Sequence, residues 1–184
     1  MKKTQHYGLC QWDAEDRILR EDFNRDNATL DETLAGLSPI VRLLDVTTET
    51  DAKEVDLDLT GIDWSLYREV QVWCRITTTT TSSADGVSIR LNKSSDYHDS
   101  LGNSTSDLAG FAVAAGGTSA GRLVLYGAQQ IAGFMRGISS QNSRIFDTSA
   151  SSLLSLEACQ TLNFIMSTGK IKTGSELIVY GVRK

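Results

Sequence analysis

The sequence predicts a mainly β fold: an antiparallel β-sandwich of jelly-roll-like type, preceded by a short N-terminal α-helical segment. Three observations predict it. Apolar residues recur with a helical period only before residue 38. From Ile40 onward they alternate in short runs, and those runs are separated by clusters of Gly, Ser, Thr, Asn and Asp, which stop and turn a strand. The expected boundaries are residues 1–38 for the helical segment and 39–184 for the sandwich.

The helix is expected over residues 12–37. Leu19, Phe23, Leu30, Leu34 and Leu37 recur at steps of four, seven, four and three, which lines up one apolar stripe at the α-helical period. Asn27 falls inside that stripe. It is either a polar register device in a multi-stranded bundle or, with Asp22, Asn24 and Asp26 nearby, the mark of a break and restart near Asn24. The remaining surface is densely charged, from Asp13 and Glu15 through Asp31 and Glu32, as a solvated helix face is. Gly36, Ser38 and Pro39 supply the stop, since proline cannot continue a helix. The stripe has two destinations, the chain's own β-domain or a seam between copies. Its five apolar residues are the candidate oligomerisation residues.

The strands follow in order. Val55, Leu57 and Leu59 alternate with Glu54, Asp56 and Asp58, a half-buried strand with one acidic face. In Leu66 to Thr77, Val70, Val72, Cys74 and Ile76 share one face, and Glu69, Gln71, Trp73 and Arg75 the other. Val87, Ile89 and Leu91 come next, then Phe111–Ala114, Arg122–Tyr126, Ile131–Ile138, Leu153–Leu156, Leu162–Met166 and Leu177–Val182. Roughly nine to eleven short strands with no helical period between them imply a sandwich or barrel. Leu123–Tyr126 and Leu177–Tyr180 are apolar on both faces, so the outer face needs cover from a loop or a neighbouring subunit.

Three loops separate these strands. Residues 77–86 are a threonine-rich link ending in Asp85-Gly86, a hairpin turn signal. Residues 93–107 are the longest stretch without apolar periodicity. Residues 114–121 form a glycine turn without the spacing of a phosphate-cradling loop.

Composition narrows the chemistry. The chain has 184 residues, 40% of them hydrophobic, enough to bury a core without staples. A net charge of −5 argues against nucleic acid and anionic membrane as partners. No apolar run is long enough to cross a bilayer, and Thr4, Gln5 and His6 directly after two lysines do not make a signal peptide. Cys10, Cys74 and Cys159 are too far apart in sequence for a zinc motif, so no metal or other cofactor is expected. With only His6 and His98 as imidazoles and no G-x-S-x-G elbow, nucleophilic catalysis lacks its parts, and no catalytic residue is assigned. Asp56, Asp58, Asp63, Asp85, Asp96, Asp99, Asp107 and Asp147 are numerous, but nothing in their spacing selects a pair. Asp96, Asp99, Asn103, Ser104 and Asp107 are hard oxygen donors in one loop, yet they do not match a twelve-residue calcium loop. Binding fits better. Trp73 on a polar strand face offers an indole to a sugar or a subunit, and Tyr97, His98 and Asp99 set an aromatic plate beside hydrogen-bonding groups.

One segment carries a resemblance. Tyr7-Gly8-Leu9-Cys10-Gln11-Trp12-Asp13, then Asp16-Arg17-Ile18, Arg20, Asp22-Phe23-Asn24, Asp26-Asn27 and Leu30-Asp31, resembles the N-terminal segment of prophage tail-fibre-like proteins, of the form YGL-x-QW…DR-x-x-R-x-DFN-x-DN. The likeness covers about the first 37 residues, and Cys10 stands where the family pattern has Asn. It implies a non-enzymatic virion tail component, concerned with attachment or host-surface recognition, made in the bacterial cytoplasm without a signal peptide. Its implied partners are further copies of itself, a trimer foremost, other tail or baseplate proteins, and a host cell-surface glycan. Residues 1–38 then serve attachment or oligomerisation. The alternative is a free-standing carbohydrate-binding β-sandwich module.

Overall fold

The computed structural model describes residues 2–37, 39–81, 83–98, 104–126, 131–139, 144–152 and 154–184, without the side chains of residues 35, 98, 139, 144, 146 and 147. The chain divides into two compact units, Met1–Pro39 and Ile40–Lys184.

In the first unit, strands β1 (Lys2–Lys3) and β2 (Cys10–Gln11) pair antiparallel ahead of helix α1 (Arg20–Leu37). The helix begins at Arg20 rather than Trp12. Asp13 and Asp16 bond each other in a local turn instead, Asp16 N–H to Asp13 O at 3.0 Å and Asp13 N–H to the Asp16 carboxylate at 2.9 Å. Such short polar side chains compete with the helical ladder. Leu19 therefore precedes the helix, and its carbonyl accepts the Phe23 N–H at 3.3 Å. From Arg20 the helix runs unbroken through Asn24 and Asn27, so there is no restart. Glu21 and Asp22 in the first turn complement the positive end of its dipole. Gly36 lies inside the last turn, and the helix stops at Leu37, two residues before Pro39. The β2 strand is tied to α1 by Cys10 N–H donating to Asp26 Oδ2 at 2.6 Å.

The second unit contains β3 (Ile40–Thr47), β4 (Glu54–Asp58), β5 (Tyr67–Thr77), β6 (Asp85–Leu91), β7 (Tyr97–His98), β8 (Ser104–Thr105), β9 (Ala109–Val113), β10 (Thr118–Tyr126), β11 (Ile131–Ser139), β12 (Arg144–Ser152), β13 (Thr161–Met166) and β14 (Glu176–Arg183). Short 3-10 turns occupy Trp64–Leu66 and Leu156–Ala158. The strands form an eight-stranded sheet, β3-β14-β5-β10-β11-β12-β7-β8, and a four-stranded sheet, β4-β13-β6-β9.

Setting aside β7, β8, β11 and β12 exposes the plan. Of the eight strands that remain, the first pairs with the last (β3 with β14), the second with the seventh (β4 with β13), the third with the sixth (β5 with β10) and the fourth with the fifth (β6 with β9). That is one long antiparallel ribbon. The further pairings β14–β5 and β13–β6 roll it into two sheets, which is the jelly-roll order. Strands β11 and β12 extend the large sheet beyond β10.

The core lies between the sheets. Val70, Val72, Cys74 and Ile76 of β5, Leu123 and Leu125 of β10, Met135 of β11, and Leu177 and Val179 of β14 meet Leu57, Val87, Ile89, Leu91, Phe111, Val113, Leu162, Phe164 and Met166 of the small sheet. The period-two alternation read for β5 is thus the core face of that strand. At Gly133 a Cβ would stand 2.7 Å from Leu108 Cγ, so only glycine lets the leucine seat on β11.

Three local expectations are corrected. The strand expected at Leu153–Leu156 is instead β12 at Arg144–Ser152; Leu156 opens a 3-10 turn, and Leu153 lies outside the described residues. Asp85-Gly86 makes no hairpin turn. It opens β6, where the buried Asp85 carboxylate accepts from the Ser167 hydroxyl at 2.6 Å, Thr168 N–H at 2.9 Å, Gly169 N–H at 2.5 Å and the Thr80 hydroxyl at 2.9 Å. The glycine turn is also shorter than read, since residues 118–121 already belong to β10.

Candidate functional site

The outer face of the large sheet is the most distinctive surface among the described residues. Side chains alternate between faces, so strand register arranges the outward residues in cross-strand rows. One row runs Glu176, Arg75, Ala120, Ile138, Ile145. The next runs Ile178, Trp73, Arg122, Arg136. A third runs Tyr180, Gln71, Val124, Phe134. Trp73 is 51% exposed and meets Tyr180 edge-on, the ring centroids 6.4 Å apart at 72°.

Between the first two rows lies a trough of about 450 Å³, lined by Trp73, Arg75, Gly121, Arg122, Ile138 and Glu176 among others. Ala120 keeps the first row low, offering one methyl between Arg75 and Ile138, and strand backbone at Gly121 and Gly137 forms the floor. Its cations differ. The Arg75 guanidinium is held by Glu176 through two hydrogen bonds, Nε at 3.1 Å and Nη2 at 2.8 Å, which hold the glutamate below its ordinary pKa and the arginine above. Arg122 has no carboxylate partner among the described residues, and directly across from it stands another arginine, Arg136. Asp147 lies opposite Arg136 in register.

The residues expected to bind are not brought together. Trp73 projects from the outer face as read, although Gln71 beside it is buried and donates to Glu69 at 2.6 Å. Tyr97 is a correction. It is fully buried, and its hydroxyl accepts the Leu91 N–H at 2.6 Å and donates to the Leu91 carbonyl at 3.3 Å. The ring completes the core and offers no plate to a ligand, because an apolar ring with one polar tip fits a core position that supplies that tip a partner. His98 pairs through its backbone with Ser151, and its side chain lies outside the described residues, as does Asp99.

The oxygen-rich loop resolves similarly. Asp107 is engaged by Arg90 Nε at 2.8 Å and the Ser88 hydroxyl at 3.0 Å, while Asp99 and Asn103 lie outside the described residues. No metal-holding group of three or more His, Cys, Asp or Glu occurs among the described residues. Several other carboxylates serve local structure. Asp56 bonds Lys93 at 2.9 Å and Asn163 at 2.8 Å, Asp58 accepts from Thr60, and Asp63 from Ser65.

On α1 the expected stripe is exposed. Phe23, Leu30, Leu34 and Leu37 are all open, the last two above 60%, as is Leu19 just before the helix. Phe23 stacks on Trp12 with centroids 6.1 Å apart at 18°. No helix among the described residues is long and apolar enough to cross a membrane.

Sequence reasoning found Trp73 but missed Arg122, Arg136 and Ile138 around it. Each stands on another strand, and only the antiparallel register places them beside the indole. Comparison with known families finds no family model that matches the chain, and comparison with curated proteins finds no match either.

Proposed function

We propose that this chain is a non-enzymatic, tail-fibre-like structural protein of a phage or prophage, whose N-terminal unit joins copies or docks to a larger particle while the jelly roll meets a host surface. The observation that carries the reading is the open apolar stripe on a compact N-terminal unit. Phe23, Leu30, Leu34 and Leu37 are exposed on one helix, and each buried leucine or phenylalanine contributes about 1.5–3 kcal/mol. A stripe of that kind favours association over exposure to water. The resemblance of residues 7–31 to tail-fibre segments supports the same reading, and a three-copy bundle through the helix is the assembly it favours. Expected partners are other copies, tail or baseplate proteins, and a host glycan.

The second reading, a free-standing carbohydrate-binding module, is favoured by one observation, the half-exposed Trp73 on the outer sheet face.

Sedimentation equilibrium of the full chain tests the first reading. The expected mass is three times the 20.1 kDa chain; a monomer at every concentration counts against assembly through the helix.

A further inference from the structure

We infer that the trough beside Trp73 is a binding site for a pyranose ring that carries a carboxylate, with the ring stacked on the indole and the carboxylate on the Arg122 guanidinium. The inference rests on the reading of the jelly roll as a recognition domain, and it names the ligand class and the place.

Four observations converge. The trough, at about 450 Å³, falls in the range of roughly 300–1,000 Å³ common to small-molecule sites. Its Trp73 wall is half exposed and held by Tyr180, so a flat apolar plate is present before any ligand arrives. The axial C–H face of a sugar ring fits such a plate. The arginines supply the charge logic. Arg75 is neutralised by Glu176 in a two-bond pair, whereas Arg122 faces Arg136 across the strands and has no carboxylate partner among the described residues. Like charges directly opposite on a sheet repel; Arg136 has Asp147 opposite it on the next strand, whereas Arg122 has Trp73 there, so an anion laid beside Arg122 relieves the repulsion. Guanidinium presents a planar fork that matches a carboxylate. Small Ala120, beside Trp73 and Arg122 in the lining, leaves the trough low enough for a ring to lie against both groups.

Other occupants fit less well. A second copy packed face to face here would bring the same arginine-bearing patch to both sides, with like charges close wherever the two-fold axis passes near Arg122 and Arg136. A nucleic acid strand needs a continuous basic path, and this chain has a net charge of −5.

The test uses the full chain and isothermal titration with three sets of oligosaccharides: oligogalacturonate, oligoglucuronate and sialyl-lactose, each beside its carboxyl methyl ester. Poly-glutamate serves as a non-sugar carboxylate. At least one acidic sugar is expected to bind, with its ester about tenfold weaker or worse. Trp73→Ala is expected to weaken binding of the acid by about tenfold, while Trp73→Phe stays within about threefold because a ring remains. Arg122→Gln is expected to abolish the difference between acid and ester. Both sites are exposed, so an unchanged thermal midpoint shows that each variant is folded.

The inference is overturned if no acidic sugar binds, if acid and ester bind equally, if poly-glutamate binds as well as the sugars, or if folded Trp73→Ala and Arg122→Gln variants bind like the parent. Adsorption of the full chain to bacterial cells separates this failure from failure of the recognition reading. Adsorption that persists in both variants leaves recognition standing and removes this site. Absence of adsorption by the parent chain removes recognition itself.

Discussion

The Asp85 carboxylate is a closing bond between distant parts of the jelly roll. It takes one hydroxyl and two backbone N–H groups from residues 167–169 and a second hydroxyl from Thr80, so the segment after β13 is held to the start of β6. Burial by itself raises the pKa of such a group, but here the Ser167 hydroxyl, the Thr168 and Gly169 amides and the Thr80 hydroxyl outweigh it and hold the carboxyl well below its ordinary range. The unfolded value is about 3.9, so the stabilisation is complete above that pH and is lost as pH falls towards the folded value. Asp85→Asn keeps the shape and removes the charge. We expect it to cost about 2–4 kcal/mol at pH 7, because hydrogen bonds to a charged acceptor contribute about 1.5–3 kcal/mol each and are not additive. Urea unfolding from pH 7 to pH 2.5 checks this: the variant should fall less steeply on acidification than the parent, and parallel curves would refute it. Gly169 belongs to the same clamp, since a Cβ there would run into the Thr80 hydroxyl and the Asp85 carboxylate. The thiols make a simpler case. Burial pushes Cys74 and Cys159 up to about 12, so neither is a thiolate at pH 8. Iodoacetamide should leave both unmodified in the folded protein and label them in urea, with peptide mass spectrometry as the readout.

At the scale of elements, α1 and β5 each leave a surface only partly covered within their own unit: Phe23 stacks on Trp12 while Leu34 and Leu37 stay open, and Trp73 stays half exposed beside Tyr180. On α1 the stripe lies on a helix whose other faces carry Asp22–Arg25 and similar pairs, so the apolar face is the one left for association. Replacing Leu30 and Leu34 together by Glu should reduce the sedimenting mass to that of a single chain while the circular dichroism of the helix is retained, because Glu is as good a helix former as Leu. An unchanged mass would move the seam elsewhere. In β5 the inner face is satisfied by the core, and the outer face is left half covered by cross-strand neighbours, with Gln71 buried and Trp73 open. The turn after β6 shows an element set by side-chain bonds. Asn92 and Lys93 both take positive φ, 49° and 58°. The Asn92 carboxamide accepts Gln160 and Thr161 amides and donates to Ala158, while Lys93 reaches Glu54 and Asp56. Those bonds offset a backbone conformation that a lysine rarely adopts.

Across the whole molecule, the jelly roll explains how a chain with so many polar turns gathers one apolar core. Rolling one antiparallel ribbon into two sheets buries one face of nearly every long strand and leaves the other face for water, turns or a partner. The extension by β11 and β12 widens the large sheet beyond the four strands opposite it, and that broad outer surface carries the trough. Polar clusters act as locks, the Asp85 clamp at the start of β6 and the Asp56–Asn163–Lys93 group across β4, β13 and the turn after β6, so several carboxylates hold strands and loops together. The N-terminal unit repeats the pattern on a small scale, with Asp26 bound by Cys10 N–H and its helix stripe left open.

Alternation along β4, β5 and β6 is readable in the sequence, because period two is a local property that burial of one face imposes on each strand by itself; β10, β13 and β14 show as short apolar runs, two of them apolar on both faces. The helix was readable for the same reason, although its start was not, since Asp13 and Asp16 prefer a turn that no hydrophobic period records. The strand at Arg144–Ser152 escaped because its pattern is polar and its partner, β11, supplies the pairing. Tyr97 looked like a surface ring in a serine-rich loop; only the folded chain shows Leu91 waiting for its hydroxyl. The trough lay beyond reach for the same physical cause, as Trp73, Arg122 and Ile138 share a surface through inter-strand register, and register is decided between segments rather than within them.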